Sequence, residues 1–353
     1  MIRLADALDL AAGGEAALGV AVSGGSDSAA LLMAAHDWAR ARNVRIEAAT
    51  VDHGLRPEAA EEAHAVGSLC ASAGIPHATL TWRPSPEAHI AQATARLARH
   101  RLLADWAHER GIGVIALGHT RDDRIETFLM RARAGSNWYG LAGPLPSSAS
   151  PVWPQGRRLR LVRPLLAVSR EALRAALRDR NLSWIDDPSN ALSKHERVRM
   201  RALAARLSAA SRDRIIAAMN RLTLMRADVM ASARSCLAAA RLATGETRLA
   251  EGSGGAFVSE EGRLRLLEAL VMAAGGGEMP PRRPALIRLD ARIQAGGLGR
   301  GVTLAGASIR PGKDGAVIIA QAPQRRGMQP VSGPDWDRAW ALLGDPRVGM
   351  LRV

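Results

Sequence analysis

The sequence predicts an α/β protein: a doubly wound parallel sheet, then a helical linker, then a small C-terminal α+β domain. Three observations predict it. Short apolar runs alternate with longer helical stretches through the first half, at about thirty residues per strand-plus-helix unit, as βαβ units do. Residues 198–245 are dense in Ala, Leu, Met and Arg with no Pro or Gly before Gly245, which reads as continuous helix. From about residue 246 glycine clusters and short β-like runs take over. A chain of 353 residues is too long for one ordinary domain, and these changes of composition divide it into 1–205, 206–245 and 246–353.

In order, the apolar runs are Leu18–Val22, Ile46–Val51, His77–Thr81 and Val114–Leu117. Helical patterns occupy 28–41, 58–73, 87–110 and 121–134. Residues 135–158, rich in Gly, Pro and Ser, read as a long loop, and loops of that length in compact domains usually carry function. Leu159–Leu166 reads as a further strand, and Val168–Arg180 as a helix with Ser169 at its N-cap. In the last region a helix over Pro284–Ala295 precedes two β-like runs, Val302–Ile309 and Ala316–Ala320, separated by the turn sequence Pro311–Gly315.

The net charge is +14, and all but two of the 48 basic residues, Lys194 and Lys313, are arginines. Arginine forks suit phosphate and nucleic acid, although an arginine-rich, alanine-rich bias accounts for the composition equally well. Cys70 and Cys236 lie far apart, which excludes a disulfide framework and a zinc ribbon. The histidines show no H-E-x-x-H spacing. No apolar run reaches the roughly 18 residues a membrane span needs, and Asp6, Asp9 and Glu15 replace a signal-peptide pattern; the expectation is a cytoplasmic enzyme.

The first motif is Ser23-Gly24-Gly25-Ser26-Asp27-Ser28, between the first strand and its helix. A strand that turns through two glycines into a helix points backbone N–H groups, at the positive end of the helix dipole, toward a place where phosphate oxygens fit. The three serine hydroxyls offer further donors. It is not a Walker A loop, because G-x-x-x-x-G-K-[ST] is absent.

The second motif, Gly118-His119-Thr120-Arg121-Asp122-Asp123-Arg124-Ile125-Glu126-Thr127, follows the fourth strand. Thr120 and Asp123 satisfy a capping box. Asp122 and Glu126, four apart, can share a helix face. Carboxylates facing a triphosphate require a divalent ion between them, so Asp122, Asp123 and Glu126 are candidate Mg²⁺ ligands, with Asp122 or Asp123 catalytic or metal-linked. The third motif is Val51-Asp52-His53-Gly54-Leu55-Arg56 at the end of the second strand.

S-G-G-x-D-S is similar to the signature loop of the PP-loop ATP pyrophosphatases, whose fold is adenine nucleotide α-hydrolase-like. With V-D-H-G-L-R and G-H-x-x-D-D-x-x-E-T in this order, the chain resembles in particular the tRNA(Ile)-lysidine synthase family. The resemblance continues through Arg131, Gly135-Ser136, Gly140–Gly143, Arg163–Leu166, Asp187–Asn190 and Arg197-x-Arg199-x-Arg201, covering about residues 18–201. The chain departs at Ala134 and Asn137, where the family's R-G-S-G has arginine and glycine, and at Val198, where it has asparagine. The resemblance implies ATP and Mg²⁺ as co-substrate and ion, and a carbon–nitrogen ligase reaction. ATP adenylates C2–O of the wobble cytidine (position 34) of tRNA(Ile) with a CAU anticodon, and free L-lysine displaces AMP. It implies that Ser23–Ser28 hold ATP phosphates, that His53, Gly118 and His119 line the nucleotide pocket, and that Arg201 or Arg197 stabilises the leaving phosphate or grips tRNA. Homodimerisation is left open.

A tRNA partner gives the arginines a use, among them Arg212, Arg214, Arg282, Arg283, Arg325 and Arg326, with Trp138 or Trp153 available for base stacking. The competing readings are another PP-loop tRNA-modifying chemistry such as thiolation, which commonly needs paired cysteines, and a non-catalytic RNA-binding protein that keeps the loop as scaffold.

Overall fold

Apolar residues on both faces of the central runs build a parallel sheet covered on both sides. The computed structural model describes residues 4–54, 58–83, 92–185, 196–243, 245–249, 259–323 and 334–344. It divides into two compact units, Met1–Leu224 and Met225–Val353.

The first unit opens with α1 (Leu4–Ala12), then alternates β1 (Ala17–Ala21), α2 (Ser26–Arg42), β2 (Arg45–Asp52), α3 (Glu58–Ser72), β3 (His77–Thr81), α4 (Gln92–Glu109), β4 (Val114–Leu117) and α5 (Arg121–Arg133). The short α6 (Trp138–Leu141), β5 (Ser147–Ala149), β6 (Arg160–Val162) and α7 (Arg170–Asp179) follow, then α8 (Glu196–Arg206) and the start of α9 (Ala209–Ala239). The strand order is β3-β2-β1-β4-β6-β5. All pairs are parallel except the edge strand β5, which runs antiparallel to β6.

The period-two alternation of a strand divides the buried side chains between two cores. Leu18, Val20, Ala48, Val114, Ala116 and Val162 pack with residues of α1, α2, α3 and α7. Ala17, Ala49, Ile115, Leu117 and Leu161 pack with Leu103, Trp106 and Ala107 of α4 on the other face. The chain order reverses at β1, whose neighbours are β2 and β4, so the crevice at the carboxyl ends of β1 and β4 is the topological switch point.

Two expectations are corrected here. The loop over 135–158 contains α6 and β5, and the helix over 198–245 is interrupted. Ser208 stops it, its hydroxyl accepting from Ser211 N at 3.2 Å, so α8 and α9 are separate helices. The start of α9 is tied into the first unit by Arg121 with Asp213 and by Arg124 Nη2 donating to Asn220 Oδ1 at 2.7 Å. The border between the units falls inside α9 rather than at residue 206.

The second unit holds β7 (Arg241–Leu242), β8 (Glu246–Leu249), α10 (Glu260–Gly275), α11 (Arg283–Gln294), β9 (Val302–Leu304), β10 (Ala307–Pro311), β11 (Val317–Gln321) and α12 (Trp336–Leu342). Its antiparallel sheet has the order β7-β8-β11-β10-β9. The expected single strand over Val302–Ile309 is a hairpin. Ala305 and Gly306, with φ of 46° and 84°, form a two-residue turn between paired Leu304 and Ala307. Helix α10 is buried from Leu264 to Ala274 apart from the paired Arg265 and Glu268, and so broad an apolar surface blurs the period that marks a helix. Arg325 and Arg326 lie outside the described residues.

Candidate functional site

Past β1 the chain keeps pairing for one residue, Val22 N donating to Ala49 O at 2.9 Å, and then turns through Ser23–Gly25 into α2. Gly24 has a φ of +83°, which favours glycine, and a Cβ there would stand 2.8 Å from the tip of Ile185, whose Cδ1 would have to shift. Gly25 is the N-cap of α2 and offers no side-chain cap, which leaves the first N–H groups of the helix open to a ligand. The serines divide their work. Ser28 Oγ accepts from Ser23 N at 3.1 Å and donates to Gly25 O at 3.0 Å, so this hydroxyl shapes the loop instead of projecting from it. Ser26 Oγ donates to Asp27 Oδ1 at 3.2 Å and accepts from Arg174 Nε at 3.3 Å.

The loop opens on a cavity of about 680 Å³ at the switch point. Ser23, Gly25, Ser26, Asp27 and Ser28 line it, with His53 from the end of β2, Gly118 and His119 from the end of β4 and Asp123 from the first turn of α5. Arg99, Arg170, Arg174, Arg197 and Arg201 complete the wall. Gly118 lets β4 approach the first turn of α2: a Cβ there would lie 3.1 Å from Ser28 Cα and Ser28 N. His119 is pushed down to about 4, by burial first and then by Arg163, with Asp123 opposing. Burial, then Arg99, also lowers His53, so both imidazoles are neutral near pH 7, and each has an enclosed Nδ1 without a hydrogen-bond partner among the described residues. Leu55, Arg56 and Pro57 of the second-strand motif, and Asp187–Asn190, lie outside the described residues.

The carboxylates are held by arginines that the sequence does not place beside them. Arg170, the first residue of α7, donates from Nε to Asp27 Oδ2 at 3.0 Å, from Nη2 to Asp123 Oδ1 at 3.2 Å and from Nη1 to Glu126 Oε1 at 3.4 Å. Arg197 reaches Asp123 Oδ1 at 2.8 Å and Glu126 Oε2 at 3.1 Å, and Arg201 reaches Glu126 Oε1 at 3.0 Å. Asp123 splits its oxygens. Oδ2 closes the capping box with Thr120 N at 2.8 Å, while Oδ1 faces the arginines. Burial alone would raise the Asp123 carboxyl, but Arg197, the Thr120 amide and Arg170 hold it below the ordinary range. Asp27 goes the other way, because burial outweighs Arg170.

The expected Asp122–Asp123–Glu126 metal set is not assembled. Asp122 Oδ2 accepts from Arg170 N at 2.8 Å and thereby caps α7 together with Ser169, whose hydroxyl accepts from Ala172 N at 3.3 Å. Asp122 and Glu126 line a second cavity, and only Asp123 lines the first. Glu126 is already neutralised by three arginines. Among the described residues no three His, Cys, Asp or Glu side chains group to hold a metal ion, and the donor chemistry does not fit a protein-held Mg²⁺.

Of the other expectations, Asn137 serves as the N-cap of α6, its Oδ1 accepting from Gly140 N at 3.2 Å, and Arg131 donates to Gly140 O. Trp153 lies in the connection that enters β6, at the amino edge of the sheet and so opposite the cavity. Arg283 is bound to Glu261 at 3.0 Å. The residues missed were Arg170, Arg174 and Arg99. Arg99 and His100 stand on α4 among Ala98, Leu103, Ala104 and Ala107, and cationic residues on an apolar stripe were the signal for it.

The family model for the PP-loop domain matches residues 4–207. A tRNA(Ile)-lysidine synthase of Hyphomonas neptunium is 55% identical over 186 residues, 53% of this chain and 50% of that protein. One of Zymomonas mobilis is 43% identical over 186 residues, 53% of this chain and 55% of that protein. The chain thus spans about half the length of these curated relatives. Among solved structures, the U34-tRNA thiolase NcsA of Methanococcus maripaludis aligns with a TM-score of 0.51 at 16% identity, over 62% of this chain and 77% of that one, a likeness of fold alone. The matched family segment carries the whole parallel sheet, the loop at Ser23–Ser28 and the arginine-bound carboxylates, and the chain belongs to the PP-loop domain family.

Proposed function

We propose that the chain is a tRNA(Ile)-lysidine synthase. The observation that carries the reading is a single cavity faced by the uncapped N-terminus of α2 and a ring of arginines, within the segment most like these synthases. ATP enters as its Mg²⁺ complex, the ion carried on its own phosphate oxygens and water. The loop Ser23–Ser28, through its N–H groups from Gly24 onward, and the Arg174 guanidinium receive the phosphates. The C2 oxygen of the wobble cytidine of tRNA(Ile) with a CAU anticodon attacks the α-phosphorus, and the bond to pyrophosphate breaks, with Arg197 or Arg201 stabilising the departing charge. The amine of free L-lysine then attacks C2, and AMP leaves carrying the oxygen.

The amine must lose a proton. Asp123, held ionised by its arginines, attracts the ammonium, while Asp27, raised by burial, is the stronger base of the two. His119, kept neutral by burial and by Arg163, Arg99 and Arg197 nearby, adds no further positive charge to the cavity. Against a sulfur-transfer chemistry stands Cys70, whose buried thiol is pushed up to about 11 and is a poor nucleophile. The reading places the enzyme in the cytoplasm with its tRNA.

The test is incorporation of labelled lysine. With ATP, Mg²⁺ and unmodified tRNA(Ile)(CAU), label is expected in the tRNA, one AMP appearing per lysine, and none in a tRNA of different anticodon. ATP hydrolysis without label in RNA rejects the reading.

A further inference from the structure

Beside the nucleotide cavity lies a second one of about 360 Å³, formed by α5, α7, α8 and the start of α9. The two share Arg170, Arg174 and Arg201 as a common wall. Its charges do not cancel. Glu126 is saturated by Arg170, Arg197 and Arg201, and Asp122 is turned to the α7 amide. Glu171 is exposed in the first turn of α7, where the helix dipole already favours it.

Arg178 and Arg212 are left without a carboxylate partner among the described residues. The Arg178 guanidinium rests 5.9 Å from the centre of the Trp184 ring, which Arg174 also covers at 5.6 Å. Among the described residues Arg212 is held by one hydrogen bond, Nη2 to Ala205 O at 3.1 Å, and its Nε is enclosed with no partner. Two guanidinium groups lining a cavity beside the proposed phosphate site, Arg212 half-buried and Arg178 exposed against Trp184, are an arrangement for an oxyanion.

We infer that this second cavity is an oxyanion subsite, with Arg178 and Arg212 as its ligands, that positions the acceptor substrate beside the bound nucleotide. It rests on the proposed function, in which two acceptors carry such a group: the phosphodiester next to the reacting base, and the carboxylate of the amino acid. A base delivered to the nucleotide cavity on an RNA strand brings its own phosphate to the cavity's edge, where the shared arginine wall stands.

The experiment measures equilibrium binding of tRNA(Ile)(CAU) without ATP or lysine, and the KM for lysine, in wild type, Arg178→Ala, Arg178→Glu and Arg212→Ala, with thermal melting to confirm folding. For a phosphodiester, tRNA affinity falls about five- to tenfold in each alanine variant and further in Arg178→Glu. The log–log salt slope then shrinks by about 0.7, as for one lost single-strand phosphate contact, and the lysine KM is unchanged. For a carboxylate, the lysine KM rises by a similar factor with tRNA binding unchanged. Either result supports the subsite, and normal values for both substrates overturn it. Should wild type bind no tRNA and incorporate no lysine, the proposed function falls, and inorganic phosphate decides the subsite by itself. A phosphate-dependent change in tryptophan fluorescence seen in wild type and absent in Arg178→Ala supports it, and the same change in both overturns it.

Discussion

Asp123 gives one oxygen to the amide of Thr120 and the other to Arg170 and Arg197, so capping and site electrostatics meet in a single carboxylate. Asp123→Asn can keep the cap and loses the charge. It is expected to cost about 1.5–3 kcal/mol in urea unfolding and at least about a hundredfold in lysine incorporation. Asp122→Asn still accepts from Arg170 N and is expected to stay within about threefold of wild type; equal losses in both variants would contradict the division of roles. The motif announced both aspartates without separating them, because the difference is made by α7, which meets them from 47 and 48 residues away. His100, 2% exposed, is pushed from 6.5 down to about 3, by burial and then by Arg99. The unfolded chain takes up a proton near pH 6.5 that the folded chain refuses until about pH 3. Stability is therefore full above pH 6.5 and falls as pH drops through that window, by at most about 1.4 kcal/mol per unit. Urea midpoints from pH 7.5 to 4.5 should show a slope that is shallower in His100→Leu.

At the scale of elements, the strands of the parallel sheet were legible because burial on both faces makes continuous apolar runs. β5 was not, being three residues at an edge where pairing with β6 decides its conformation. α10 was hidden by its own apolarity, and the hairpin at Ala305–Gly306 by an unbroken β-like sequence on either side. The turn at Ser23–Ser28 was legible, since glycine at a positive φ is written directly in sequence, whereas the inward use of the Ser28 hydroxyl was not. Gly24→Ala meets both a left-handed backbone and Ile185. It is expected to cost about 1–3 kcal/mol and to weaken ATP binding at least about tenfold, measured by calorimetric titration; unaltered ATP affinity would remove the loop from the phosphate site. Gly118→Ala, which pushes on the Ser28 backbone, should act in the same direction.

For the whole molecule, the charge of +14 overstates what is available to a partner. Arg263, Arg265 and Arg283 in the second unit are spent on internal carboxylates, and Arg170, Arg197 and Arg201 in the first are shared between carboxylates and the nucleotide cavity. tRNA binding should still weaken steeply between 50 and 200 mM salt, by about tenfold or more, and a flat response would remove the nucleic-acid partner. The most direct test of the central claim, that the cavity splits ATP by transferring AMP to a tRNA base oxygen, follows that oxygen. tRNA(Ile)(CAU) bearing ¹⁸O at C2 of the wobble cytidine is incubated with the protein, ATP, Mg²⁺ and lysine. The account requires the ¹⁸O to appear in the phosphate of AMP, in step with lysine in the tRNA; ¹⁸O retained in the tRNA while ATP is consumed, or found in water, would contradict it.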